Sequence, residues 1–386
     1  MKKAIKIIAW IAVPIILIIA SLYIFKVDYI LKAVRVTYLT GHKTAFLEDY
    51  TYFENRTISH GVGQPWKTTK DYNTIAATPE LEKTHQELKT VAYLIIKNDS
   101  IFHEAYFDGY DQNSHSNSFS MAKSIVTSAL GKAIMQGYIK NLDQKVTDFL
   151  PELKGAYASE LTVGDLASMS SGLSWDENYY GAFSITTQAY FDTDLRNVMY
   201  GLEINDKPSQ KFIYQSGDTQ LLAMVLEKAT HTSLSEYVSE VFWKPMGAEN
   251  DALWQIDHKG DGIEKAYCCI ASNARDFARF GKLYLQGGLW NGTEILPKEF
   301  IEKSIHLRFN ESPQYGYGWW LNTYMDKQMY YMRGHLGQFV IVVPEDNLII
   351  VRLGHIKGEQ TKTDPHSNDF YVYVAEAYKM LEQRKK

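Results

Sequence analysis

Ser118-Phe119-Ser120-Met121-Ala122-Lys123-Ser124-Ile125-Val126 is the stretch on which the reading of this chain turns. Apolar residues at Met121, Ile125, Val126, Ala129, Leu130, Ala133 and Ile134 have the spacing of a largely buried helix over about residues 120–138, with Gly137 marking its end. Ser120 and Lys123, three positions apart, share one side of its first turn, so hydroxyl and ammonium come within reach of each other. Burial there favours the neutral amine, which can take the serine proton and leave a nucleophile for acyl transfer. The same four letters also describe an N-capping serine followed by a surface lysine, so the rest of the chain has to decide.

Upstream, residues 90–96 and 101–107 read as two strands joined by Lys97-Asn98-Asp99-Ser100. Downstream the pattern is helical. Thr162-Val163-Gly164-Asp165 opens a short helix that closes near Gly172, Ser233-x-x-Glu236 is a capping box, and residues 272–286 and 297–304 continue the helical character. From Tyr315 onward aromatic, β-rich runs take over at 317–323, 328–332, 338–344 and 347–353, the last two joined by Glu345-Asp346, before a final amphipathic helix at 369–384. Strands at both ends of a helical middle imply an α+β fold: one antiparallel sheet assembled from both chain ends, with an all-helical lobe inserted. The sequence divides accordingly into a main domain over 81–386, with a sheet lobe at about 81–118 and 315–386 and a helical lobe at about 119–314.

Composition narrows the class. The chain has 386 residues, 45% hydrophobic and 22% charged, with 25 Gly and 10 Pro, which excludes disordered and collagen-like proteins. Its length is two to three times a common domain of ~100–150 residues, so either two domains or one large fold of two lobes is expected. With 40 Lys plus Arg against 45 Asp plus Glu, a formal charge of −5 and no basic stretch interleaved with aromatics, nucleic acid is not an expected partner. Cys268 and Cys269 are the only cysteines; bonded to each other they would close no useful loop, so the fold does not rest on disulfides.

Residues 7–25 form 19 positions without a charge, about 29 Å as a helix against a hydrocarbon core of ~30 Å. A cleaved signal peptide would have a shorter apolar region and a small-x-small end, whereas this run ends Ile18-Ile19-Ala20-Ser21-Leu22. The expectation is an uncleaved transmembrane anchor over residues 4–25, with the lipid bilayer as its partner. Lys2, Lys3 and Lys6 nearly balance Lys26, Lys32 and Arg35, and a short basic N-terminus ahead of a first apolar run puts the remainder on the extracytoplasmic side. Residues 26–80, polar and aromatic-rich with weak periodicity, read as a stalk that wraps the body.

There is no Gly-x-Ser-x-Gly elbow and no phosphate loop, and His103-Glu104 lacks the second histidine of a zinc hydrolase, so no metal or other cofactor is expected. Two further sites accompany Ser120 and Lys123. Tyr214-Gln215-Ser216 precedes a helix from about Asp218, and Gly334-His335-Leu336-Gly337-Gln338 enters a strand. In their order and separations these three motifs closely resemble those of the serine β-lactamase and penicillin-binding protein family: Ser-x-x-Lys, Tyr-x-Asn or Tyr-x-Ser, and Lys/His-x-Gly. The chain looks most like the branch that groups class C β-lactamases, β-lactamase-fold esterases and 6-aminohexanoate-dimer hydrolases. Leu161 to Leu166, Ser171-Gly172-Leu173, Tyr315-Gly316-Tyr317-Gly318-Trp319-Trp320 and Val343-Pro344-Glu345 extend the likeness from about Leu81 to the C-terminus.

The resemblance implies that Ser120 is the acylated nucleophile, Lys123 its base and Tyr214 the phenol that relays protons, with Ser216 extending the network. It also implies an oxyanion hole made of the backbone N–H groups of Ser120 and Gln338. His335-Leu336-Gly337 replaces a Lys-Thr-Gly clamp by a titratable imidazole without a hydroxyl, which weakens the grip on a substrate carboxylate. That favours an esterase or amidase over a β-lactamase or D,D-peptidase acting on peptidoglycan-type substrates. A non-catalytic envelope protein that binds a ligand in the same pocket is a third reading. Trp175, Asp176 and Tyr179, in a loop resembling the cleft-side loop of the dimer hydrolases, join Leu336 and Gly337 as candidate substrate contacts; a solvated loop packed on its aromatics is the alternative.

Overall fold

Asn98 and Asp99, with φ of 50° and 61°, make the two-residue turn that their side chains suit, and the strands they join run Thr90–Lys97 and Ser100–Tyr106. The computed structural model describes residues 2–384, so the last two positions of the 81–386 span lie outside the described residues. Seven strands form the main sheet in the order Trp320–Tyr324, Lys327–Gly334, Gln338–Val343, Leu348–Gly354, Thr90–Lys97, Ser100–Tyr106, Lys67–Thr68. All neighbours are antiparallel except the last pair. The seam between Leu348–Gly354 and Thr90–Lys97 sews the C-terminal strands to the N-terminal hairpin.

The central strands read as unbroken apolar runs because both of their faces are covered. Tyr93 and Ile95 point to one side, against Phe370, Tyr373 and Val374 of the final helix, Asn368–Gln383. Ala92, Leu94 and Ile96 point to the other, into the larger core. The helix Ala274–Leu285 lies on that second face, with Gly281 set directly over Val340, Val342 and Ile349. Assigned by chain position to the helical lobe, it belongs by packing to the sheet, whose second face needs an apolar cover.

A second, four-stranded sheet runs Asn55–Ile58, Ala252–Gln255, Ile270–Ser272, Ser116–Asn117. Its strands are two to four residues long, too short for periodicity to reveal within a stretch read as helical. The 26–80 segment is therefore more than a stalk: it lends Asn55–Ile58 to this sheet and Lys67–Thr68 to the main one. Buried Asp49 ties it down, accepting hydrogen bonds from Tyr190 Oη at 2.6 Å, Asn117 Nδ2 at 2.9 Å and Gln255 Nε2 at 3.0 Å.

The first helix spans Lys2–Ile24 with Pro14 inside it, and its side chains are exposed at Trp10, Leu17, Ile18 and Ile24. Among the described residues no single helix is long and apolar enough to cross a membrane; Ala12–Ile24 and Tyr29–Thr40 meet that measure together, as a pair bent by 119°. The second helix, Tyr29–Val36, packs onto Ile185–Phe191 through a small aromatic core of Tyr29, Val36, Phe46, Phe53 and Phe191. Cys268 and Cys269 are bonded to each other, a link across one peptide bond that joins no distant segments.

Candidate active site

Ser120 lies in the 3-10 turn Phe119–Met121 that runs directly into the buried helix Ala122–Met135. Phe119, just before it, has φ of 45°, a left-handed conformation that costs energy for a residue with a side chain. Two contacts hold it there: its N–H donates to Asn117 Oδ1 at 2.9 Å, and its ring meets His335 edge-on at 5.6 Å. Lys123 is 2% exposed, one turn along, and its Nζ sits 2.9 Å from Ser120 Oγ, 3.0 Å from Ser216 Oγ and 2.8 Å from the Tyr267 carbonyl oxygen.

The proton inventory of this cluster follows from its acceptors. The Tyr267 carbonyl can only accept. Ser216 spends its own proton on Glu177, donating from Oγ to Oε1 at 2.5 Å, so it too must accept from Lys123. A neutral amine has two N–H donors and one lone pair; with both donors used, the lone pair faces Ser120 Oγ. Burial pushes Lys123 down to about 8, against the opposing pull of Glu177 and Asp218.

Glu177 is the residue that sequence reasoning passed over. Its carboxylate also accepts from the Ser216 N–H at 2.6 Å, from Trp175 Nε1 at 2.6 Å and from the Tyr179 hydroxyl. Asp176, its neighbour and the acid expected to contact substrate, faces solvent. Trp175 is buried beneath the site rather than lining it, close over Gly217 at the start of the Ser216–Thr230 helix. The Trp175-Asp176-Glu177 triplet offered a signal, since an acid one residue from a large aromatic can fold under its indole N–H. Choosing between adjacent acids required the loop conformation.

Tyr214 packs within an aromatic group, tilted against Trp320 at 5.4 Å and edge-on to Tyr315 at 6.3 Å between ring centres. Burial, then the Glu177 charge, raise its hydroxyl well above the usual tyrosine value, so the phenol is protonated at neutral pH. His335 is held down to about 4 by burial and by the Lys357 and Arg333 charges, and is neutral. Its Nε2 is buried without a protein partner, and its ring lies 5.8 Å from that of Tyr179.

Two glycines bring the His335 turn to Ser120. A Cβ on Gly334 would come within 2.2 Å of the Ser118 carbonyl oxygen, and one on Gly337, at φ of 82°, within 2.5 Å of Arg352 Nη1. Arg352 is the second unforeseen residue. Fully buried, it donates to the carbonyls of Leu336 at 2.9 Å, Gly337 at 2.8 Å and Leu88 at 2.6 Å, which turns the first two toward the guanidinium and fixes the turn. A lone arginine inside Leu348-Ile349-Ile350-Val351-Arg352-Leu353 was the clue. The Gln338 side chain completes the support, donating to the His335 and Gly354 carbonyls at 3.0 and 2.7 Å.

A cavity of about 700 Å³ opens over this cluster, with Ser120, Ser216 and His335 in its floor. Because only the unprotonated Lys123 amine accepts the Ser120 proton, acylation should rise with pH through a limb near 8 and level off above it. Glu177 raises the lysine, so Glu177→Gln should move that limb to lower pH, measured as kcat/KM against pH with a neutral ester. An unmoved limb would separate Glu177 from the lysine.

A 6-aminohexanoate-dimer hydrolase from Paenarthrobacter ureafaciens is 26% identical over 237 residues, covering 59% of this chain and 60% of that relative's length. Protein flp from Staphylococcus aureus is 23% identical over 315 residues, 72% of this chain and 62% of flp. A solved Bacillus anthracis protein, assigned as a 6-aminohexanoate-dimer hydrolase, superposes with a TM-score of 0.71 at 21% identity, covering 88% of this chain and 94% of that one, which bears on the fold alone. The Beta-lactamase family model matches residues 74–370, a span that holds Ser120, Lys123, Tyr214, Ser216 and His335. The chain belongs to the Beta-lactamase family.

Proposed function

We propose that the protein is a membrane-anchored hydrolase that cleaves an ester or amide through an acyl-Ser120 intermediate. The observation that carries this reading is the position of Lys123 Nζ, 2.9 Å from Ser120 Oγ, with Ser216 Oγ and the Tyr267 carbonyl placed to accept both N–H groups of the neutral amine. In acylation Ser120 attacks the substrate carbonyl as its proton passes to Lys123, and the oxyanion forms against the N–H groups of Ser120 and Gln338. Ser120 lies at the start of a helical run, where an N–H has no partner inside the helix. Tyr214, protonated, gives its proton to the leaving group and regains the one that Lys123 took from Ser120. Water then attacks the acyl-enzyme by the reverse path.

Neutral His335 offers its unpaired Nε2 for one hydrogen bond to substrate and no fixed positive charge, which supports ester and amide substrates over the carboxylate-bearing β-lactams and peptidoglycan stems. A ligand-binding protein without turnover would have no use for a buried lysine poised near 8. The apolar side chains of Trp10, Leu17, Ile18 and Ile24, exposed on the Lys2–Ile24 helix, support an anchor in the bilayer, with the catalytic unit on the extracytoplasmic side.

The test is turnover by the full chain across nitrophenyl esters, linear amides, D-amino-acid amides and a cephalosporin, with Ser120→Ala as control. Ester or amide hydrolysis lost in the variant is expected. Hydrolysis of the cephalosporin alone would replace this reading with a β-lactamase.

A further inference from the structure

The cavity above Ser120 is closed on its far side by a segment from outside the matched family span. Ile30, Ala33 and Val34 of the Tyr29–Val36 helix, with Thr37 just beyond it, form a wall opposite Ser120 and His335. The site therefore has its chemistry at one end and a mostly apolar channel at the other. The helix that supplies the wall begins five residues after the apolar Lys2–Ile24 helix ends, at the 119° bend. Large apolar side chains stand exposed around the same end of the molecule: Tyr38 and Leu39 on the wall side at 67% and 77%, Tyr180 and Phe183 on the loop side at 76% and 73%. Aromatic and apolar side chains left in the open beside an apolar helix have the character of groups that sit at a membrane interface.

We propose that this channel is an acyl-chain site and that the substrate is an amphiphile, an ester or amide whose long apolar chain lies along Ala33 and Val34 while its carbonyl reaches Ser120. The proposal rests on the hydrolase reading and deepens it. The chain enters from the interface side, between Tyr38 and Tyr180, so the anchor holds the mouth at the height where such a substrate leaves the bilayer. The cleavage itself needs only water: the acyl C–O or C–N bond breaks, the Ser120 ester forms and is hydrolysed, and a fatty acid or its amphiphilic equivalent is released with the alcohol or amine.

The experiment uses the full chain in phosphatidylcholine vesicles and a series of 4-nitrophenyl esters from acetyl to decanoyl. kcat/KM should climb by about fourfold for each methylene the channel buries, until the wall is reached. Val34→Glu, at a half-exposed position that tolerates a charge, should cut the decanoyl-to-acetyl ratio by at least about tenfold relative to wild type in the same vesicles. Ala33→Trp, which fills the channel, should do the same. The ratio to wild type cancels partition of the esters into lipid, and Val34→Glu alone decides if Ala33→Trp does not fold. A decanoyl-to-acetyl ratio that stays unchanged in the variants, with acetyl ester still hydrolysed, overturns the acyl-chain site and leaves the hydrolase intact. No turnover of any ester, with Ser120 inert to a fluorophosphonate, overturns both.

Discussion

Lys123→Ala is expected to lower kcat/KM by about 10²–10⁴-fold, the usual contribution of a positioned general base, while Ser120 stays in place. The truncation also leaves the Ser216 hydroxyl and the Tyr267 carbonyl without their shared donor, so thermal unfolding must be followed alongside. Lys123→Arg separates base from charge. It restores a cation and several donors in the same place, yet a guanidinium does not give up its proton in a protein and cannot accept one from Ser120. Both variants should therefore be inactive on esters. An arginine variant within about tenfold of wild type would mean that the lysine works as a fixed charge, and the proton inventory built on Ser216 and Glu177 would be wrong.

Tyr214→Phe should separate substrates by leaving group. The ring keeps its packing on Trp320 and Tyr315, so the loss is confined to the hydroxyl. An amine departs only when protonated, and the protonated phenol is the nearby acid, so linear amides should lose about 10²–10⁴-fold in kcat/KM. A nitrophenolate leaves without a proton, and acylation by a nitrophenyl ester should fall less than about tenfold. Equal losses on both substrates, read from the pre-steady-state burst, would place Tyr214 in the activation of Ser120 instead.

The parts of this molecule that the sequence disclosed are those with strong periodicity or a motif of fixed spacing. The helix behind Ser120, the Asn98-Asp99 hairpin and the C-terminal strands all declare themselves through apolar pattern or turn chemistry. The second sheet did not, because Ser116–Asn117 and Ile270–Ser272 are two and three residues long and carry no pattern of their own. Ser120, Lys123 and Tyr214, the proposed nucleophile, base and phenol, stand out in the sequence through their motifs. Glu177 and Arg352 do not, since each acts through contacts between segments far apart in the chain: Glu177 with Ser216, Arg352 with Leu88 and the His335 turn. His335 illustrates a different limit. Its residue type suggested a titrating group, whereas its burial between Phe119 and Tyr179 keeps it neutral.

The N-terminus is where structure and sequence meet least directly. The apolar run forms a helix, but the Tyr29–Val36 segment, read as the start of a stalk, turns back onto the body and completes the pocket. Packing of Tyr29, Val36, Phe46 and Phe53 against Phe191 explains why so aromatic a segment does not extend away as a linker.

The central claim, that Ser120 is the nucleophile and Lys123 the group that deprotonates it, is tested most directly by intact-mass measurement after a fluorophosphonate. Wild-type protein should gain a single label, at a rate that rises with pH through about 8, with the mass located on Ser120 by peptide mapping. Ser120→Ala should gain none and Lys123→Ala should label far more slowly. A label on another residue, or labelling of the folded wild type at a rate indifferent to pH, would contradict the assignment.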